Sequence, residues 1–275
     1  MDQYTKANQL SWDERVPIHV ASECYSLDKF KAGRCSLKSV ELEELGDVSG
    51  KSLLHLQCHF GMDTLSWAKQ GAIVTGVDFS AQAITYAKSL AEELGLNARF
   101  VISDIFELPK NLTGEFDIVF TSYGVLCWLS DLAQWANTIA HFLKPEGIFY
   151  IVDGHPAGNI FDDKTEGQLS VRYSYFNIGP ERVECDVTYA DWSAHLENRV
   201  TYEWEHSIGE IINALIGVGL EIKFLHEFPF TFHKQLPWMF QDADDLWHLP
   251  DGDKRIPFLY SLMAVKKPVC KIDEK

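Results

Sequence analysis

The chain lacks the signals that mark several classes of protein. Its six cysteines (Cys24, Cys35, Cys58, Cys127, Cys185 and Cys270) form no Cys-x-x-Cys pair and no Cys/His cluster of zinc spacing. Neither a disulfide scaffold nor a metal site is therefore expected. Reduced thiols fit the scatter, with Cys58, Cys127 and Cys185 in apolar surroundings. No apolar run reaches the length of a membrane span, and the opening Met1-Asp-Gln-Tyr-Thr-Lys-Ala-Asn8 lacks the basic-then-apolar order of an export signal. A cytoplasmic protein without a membrane partner is expected. Positive charge is scarce: 24 Lys and Arg stand against 40 Asp and Glu, a formal charge of −16. That field repels phosphate backbones and argues against a nucleic-acid partner. Internal repeats and low-complexity tracts are missing as well.

What is present suits one generous domain, as a monomer or homodimer, with an interior large enough to carry a site. Aromatic residues make up 13% of the chain, eight of them Trp. From residue 51 onward, apolar runs alternate with amphipathic stretches. Strands are expected at 52–57, 72–77, 98–103, 116–121 and 148–152. Helices are expected at 61–70, 81–94 and 131–143. Ile84, Ala87, Leu90, Ala91 and Leu94 form one stripe, and Leu132, Trp135, Ala136, Ile139 and Leu143 another. Such alternation predicts an α/β fold with a doubly wound, mostly parallel, Rossmann-like sheet.

Four regions follow. Residues 1–50 read as a short helical or loop arm covering the site, and 51–153 as the binding core. Residues 154–206 read as a lid with a β-hairpin, in which 183–189 and 200–206 alternate with period two and place His206 on the apolar side. Residues 207–275 complete the sheet. There Ser207 and Glu210 spell a capping box, strands are expected at 221–228 and 256–265, and an aromatic-rich connection joins them.

The first strand, turn and helix run Ser52-Leu-Leu-His-Leu-Gln-Cys-His-Phe-Gly-Met-Asp-Thr64, and the second strand ends Val74-Thr-Gly-Val-Asp-Phe-Ser80. A sheet that binds a nucleoside at its strand tips places an acid there on the ribose, a role for Asp78. A dinucleotide fold would want glycine at Gln57, His59 and Met62 so that backbone can approach a pyrophosphate. None is there. An NAD-dependent oxidoreductase is therefore disfavoured, while a ligand without phosphate is not.

Together with Ser103-Asp-Ile105 and Phe116-Asp-Ile-Val-Phe-Thr-Ser122, these motifs resemble the class I S-adenosylmethionine-dependent methyltransferases. The resemblance is to a bacterial branch whose first motif is His-Leu-Gln-Cys-His-Phe-Gly in place of Asp-Leu-Gly-Cys-Gly-x-Gly. It covers about 50–153 and resumes over about 207–267. It implies a seven-stranded sheet with an antiparallel last strand, and S-adenosyl-L-methionine as cofactor. It also implies that Phe79 borders the adenine, Asp104 accepts from its amine, Ile105 contacts the ring by backbone, and Thr121 lies near the methionine amine. Gln57, His59 and Gly61 would line the site, and Tyr25 would offer a hydroxyl to the carboxylate end. His55 replaces the acid usual in the motif and reads as a buried, satisfied histidine.

Methyl transfer to an oxygen or nitrogen of a small molecule requires alignment in a dry pocket, and for some acceptors a base. His155, after the fifth strand, and His206 are the candidates. Tyr123, Trp128, Tyr175 and Trp204 are candidate pocket walls. The concentration of Trp128, Trp192, Trp204, Trp238 and Trp247 near 154–206 and 229–250 favours an apolar or planar acceptor. A non-catalytic cofactor-binding protein is the alternative of a different class.

Overall fold

In the computed structural model, which describes residues 1–165 and 167–268, strand β1 (Ser52–Leu56) lies at the centre of the main sheet. Leu53, Leu54 and Leu56 are wholly buried, as a strand covered on both faces requires. Helix α4 (Met62–Lys69) follows, then β2 (Ile73–Asp78), α5 (Ala81–Glu93), β3 (Ala98–Ile102), the short α6 (Leu108–Asn111) and β4 (Phe116–Ser122). Helix α7 (Leu132–Phe142) leads into β5 (Leu143–Gly154). Late in the chain come α9 (Ile208–Gly217), β8 (Leu220–Phe228) and β12 (Leu259–Lys266).

The sheet order is β3-β2-β1-β4-β5-β12-β8, with β12 antiparallel to both neighbours. The α/β class, the seven strands and the reversed last strand are as expected. Ser80 caps α5 by accepting from Ala83 N at 3.0 Å, and Asp131 caps α7 by accepting from Gln134 N at 3.0 Å. The α5 and α7 stripes are buried on the two sides of the sheet, in separate apolar clusters. Ser207 and Glu210 form the expected capping box.

Three expectations change. The first fifty residues contain not a short arm but a 19-residue helix, α1 (Gln3–Ala21), followed by α2 (Leu27–Lys31) and α3 (Ser39–Leu45). The hairpin is shorter and shifted: β6 (Glu181–Glu184) pairs with β7 (Val200–Glu203). The ladder stops before His206 because Trp204 N donates instead to Cys127 O at 2.8 Å. Of the thiols expected in apolar surroundings, Cys58 is buried, whereas Cys127 and Cys185 are half-buried; Cys270 lies outside the described residues. The remaining elements sit beside the last strands. They are α8 (Pro156–Asn159) and a small antiparallel sheet in which β11 (Trp247–His248) lies between β9 (Phe230–Thr231) and β10 (Phe240–Gln241).

Candidate active site

The turn after β1 keeps a glycine-like backbone without the glycines. Gln57 (φ 55°), His59 (φ 49°) and Gly61 (φ 86°) all lie in the left-handed region. For a residue with a Cβ that costs roughly 1–2 kcal/mol. The turn is held by Cys58 N donating to Val77 O (2.9 Å) and His59 N donating to Asp78 Oδ2 (2.8 Å). At Gly61 nothing larger fits, because an added Cβ would lie 2.9 Å from both Ala87 Cβ and Phe100 Cζ.

Asp78 therefore does two things. Its oxygens accept from His59 N and from Ser80 N (2.9 Å), tying the first turn to the second. A carboxylate has about four acceptor positions, so two remain for a ligand. Burial, which outweighs those bonds, raises its pKa to about 6. Phe79 follows it, its carbonyl accepting from Gln9 Nε2 at 2.7 Å. Beyond β3, Asp104 Oδ1 accepts from Phe106 N at 2.7 Å, and burial raises its pKa as well. Ile105 is buried, with its carbonyl bound by Thr138 Oγ1 at 3.2 Å.

At the tips of β1 and β4 two polar atoms lack a partner. Gln57 Nε2 donates to Val125 O at 3.0 Å, which leaves Gln57 Oε1 buried and unbonded. Thr121 is wholly buried, and its Oγ1 is likewise unbonded. Two buried acceptors without donors are what a ligand ammonium would satisfy. Together with the remaining lone pairs of Asp78, this donor and acceptor set fits S-adenosylmethionine, which carries an ammonium and a ribose and no phosphate.

Helix α1 crosses above these tips. Trp12 meets His59 edge-on at 5.3 Å between ring centroids and Trp128 at 5.4 Å. His19 Nδ1 lies 3.0 Å from His59 Nε2, and His19 Nε2 lies 2.6 Å from Thr188 Oγ1. The Tyr25 and Tyr189 hydroxyls bond to each other, and the Tyr25 ring packs on Phe60. Burial, then the charge of Arg15, lowers the pKa of His19 to about 4; burial, then His19, holds His59 well below the ordinary histidine value. The sequence reading missed Trp12, Arg15 and His19. Nothing local marks them, since their partners lie far along the chain.

The other candidates are placed differently. His155 Nδ1 accepts from Ala157 N at 3.0 Å as the cap of α8. Its Nε2 lies 2.9 Å from Glu227 Oε1, within ion-pair distance but not aligned for a ring N–H bond. His206 Nε2 donates to Leu129 O at 2.8 Å, and the residue lines a surface cleft with Ser130, Asp131 and Asn213. The Tyr123 hydroxyl donates to the buried Glu41 at 2.7 Å. Tyr175 accepts from Ile208 N at the start of α9 (3.3 Å). Trp204 is buried beside Tyr4, while Trp192 is 75% exposed and walls no interior. Of the four expected walls, Trp128 is the one packed against Trp12. His55, as expected, is buried and satisfied, bonding Thr64 Oγ1 at 2.8 Å.

Residues 53–147 match the family model described as a methyltransferase domain. Over 106 residues the chain is 36% identical to a ubiquinone biosynthesis O-methyltransferase of Coxiella burnetii, covering 38% of this chain and 44% of that one. The match thus spans less than half the length of that curated relative. Among solved structures, an S-adenosylmethionine-dependent methyltransferase of Mesorhizobium loti superposes with a TM-score of 0.58 at 20% identity, over 86% of this chain and 99% of that one. One from Clostridium acetobutylicum superposes with a TM-score of 0.54 at 15% identity, over 97% and 100%. These likenesses establish the fold.

Proposed function

We propose that the protein is an S-adenosylmethionine-dependent methyltransferase acting on an oxygen of a small-molecule acceptor. The observation that carries this reading is the joint geometry at the strand tips. Asp78 clamps a left-handed turn that bears side chains at Gln57 and His59 in place of glycine, and the unbonded Gln57 Oε1 and Thr121 Oγ1 lie at the tips of the adjacent β1 and β4. The methyltransferase-domain match over 53–147 supports it, and the O-methyltransferase name of the curated relatives favours oxygen over nitrogen.

In this reading Asp78 holds the ribose; Phe79, Asp104 and Ile105 border the adenine; and Gln57 and Thr121 bind the ammonium. When bound, the cofactor supplies an electrophilic methyl on a sulfonium. The chain's own part is alignment and exclusion of water, with α1 and Trp12 as the cover. An acceptor hydroxyl must also lose its proton. We assign that task to the His59–His19 pair, which burial keeps unprotonated at pH 7 and also weakens as a base, so that it takes the proton as the C–O bond forms and the hydroxyl becomes strongly acidic. His155 and His206 would then serve structure, through Ala157 N and Leu129 O.

Calorimetric titration with S-adenosylhomocysteine tests the reading. Wild type should bind it and ignore NADH. Asp78→Ala should weaken binding by about 1–3 kcal/mol, as loss of a charge-assisted bond does. Asp78→Asn, which keeps an acceptor for the turn, should retain the fold and still lose affinity. No binding by wild type, or unchanged affinity in both variants, overturns it.

A further inference from the structure

The buried face of α1 is polar. Asn8, Ser11, Arg15, Val16 and His19 are its buried residues, one apolar side chain among five. A helix that packs only to fill a core buries an apolar stripe, so this face has another task. On one side α1 is tied to the strand tips, where Gln9 donates to Phe79 O (2.7 Å) and Asp13 accepts from Ser80 Oγ (2.6 Å). On the other it is tied to the insertion, where Asn8 donates to Tyr202 O (2.8 Å) and Glu14 accepts from Glu197 N (2.6 Å). The same helix carries three buried donors without acceptors among the described residues: Ser11 Oγ, Trp12 Nε1 and Arg15 Nε.

Arg15 is 8% exposed. Its guanidinium lies 5.3 Å from the Trp12 ring centroid and forms no ion pair among the described residues. Glu203, Tyr189, Cys185 and Glu14 are the titratable groups around it. Of these, Glu203 turns an oxygen to Thr201 Oγ1 (3.5 Å) and Glu14 is spent on the backbone of Glu197 and Asn198. The guanidinium thus shares two carboxylates with other donors and, with its buried Nε–H unbonded, keeps a donor open to a further acceptor.

We propose that Ser11, Trp12 and Arg15 form the recognition site for a carboxylate carried by the methyl acceptor. The substrate class is thus a small organic acid, its apolar body against Trp12 and Trp128. The word acceptor rests on the methyltransferase reading; the carboxylate site does not. Arg15 faces the insertion, through Tyr189, Cys185 and Glu203, which favours the acceptor; the cofactor's own carboxylate, expected beside Tyr25, which bonds Tyr189, is the competing occupant that the test separates.

The test compares benzoate and phenylacetate with benzamide and phenylacetamide, titrated by ligand-observed NMR into wild type, Arg15→Gln and Arg15→Lys. Wild type should bind each acid at least about tenfold tighter than its amide, as a charge-assisted bond to a carboxylate gives. Arg15→Gln should abolish the preference, and Arg15→Lys should restore part of it. Equal binding of acid and amide to wild type, or a preference that survives Arg15→Gln, overturns the proposal. So does an Arg15→Gln protein that loses S-adenosylhomocysteine affinity, or acid binding to wild type that saturating S-adenosylhomocysteine abolishes, since the anion is then the cofactor's. A wild type that prefers acids yet binds no S-adenosylhomocysteine supports the carboxylate site and overturns the methyltransferase reading alone.

Discussion

His19 Nδ1 and His59 Nε2 are 3.0 Å apart, so one proton between two imidazoles joins the first helix to the first turn of the sheet. Thr188 Oγ1 extends the chain at 2.6 Å, which brings the insertion into the same network. Three segments distant in sequence thus meet at a pair of rings that burial keeps neutral. The pair is structural fastening and candidate proton acceptor at once.

Replacing His19 with Ala should leave His59 and Thr188 without their partner, at a cost of about 1–3 kcal/mol. The loss should be local. Hydrogen exchange of α1 amides should accelerate at least about tenfold, while the β1 and β4 amides stay protected. Uniform acceleration across the sheet would show that His19 supports the whole fold instead.

Gln57→Gly separates strain from binding. Glycine adopts φ 55° freely, which relieves roughly 1–2 kcal/mol. The lost bond to Val125 O removes about 1 kcal/mol. Stability should therefore stay within about 1 kcal/mol of wild type in chemical unfolding. Affinity for S-adenosylhomocysteine should nevertheless fall by about tenfold, because Oε1 is gone. Unchanged affinity would remove Gln57 from the site.

Glu41 makes a pH-dependent contribution with a definite sign. Burial raises its pKa from 4.5 to about 7, against the bonds from Lys38 N and the Tyr123 hydroxyl. The folded state thus holds a proton that the unfolded state has lost between those values. Its stabilising contribution is complete below pH 4.5 and is lost as pH rises through about 7. Glutamine does not titrate. The stability of Glu41→Gln relative to wild type should therefore rise across that window, by up to about 3 kcal/mol. Unfolding curves at several pH values check this, and a constant difference would refute it.

Gly76 on β2 tests packing beneath the turn. An added Cβ would lie 2.7 Å from Phe100 Cε1 and 2.9 Å from Cys58 Sγ. Gly76→Ala should cost about 1–3 kcal/mol by overpacking. Combining it with Phe100→Leu should recover part of that loss, whereas strictly additive destabilisation would place the strain elsewhere.

The strands were legible because β1, β2 and β4 are buried on both faces and read as apolar runs; α5, α7 and α9 were legible from their stripes and caps. Helix α1 was not, since the face it buries is Asn8, Ser11, Arg15 and His19, a pattern indistinguishable in sequence from a solvated surface. Pro17 inside it further obscures the helix. At the site, Asp78 could be singled out as a strand-end acid. Of the three positions at which a dinucleotide fold would want glycine, Gln57 and His59 take the left-handed backbone that glycine favours, which no sequence pattern announced. Met62 does not; it begins α4, and Gly61 supplies the third left-handed residue. Contacts such as His19 with His59, or Trp12 with Trp128, depend on how the chain returns upon itself, and no local pattern encodes them.

The polar face of α1 also bears on how the molecule is made. Asn8 bonds to Tyr202, 194 positions later in the chain. During synthesis the helix therefore emerges long before the insertion that will cover it. An apolar face would spend that interval exposed and prone to aggregate. Asn8, Ser11, Arg15 and His19 are at ease in water, so the segment that must wait longest for its partners is one that can wait safely.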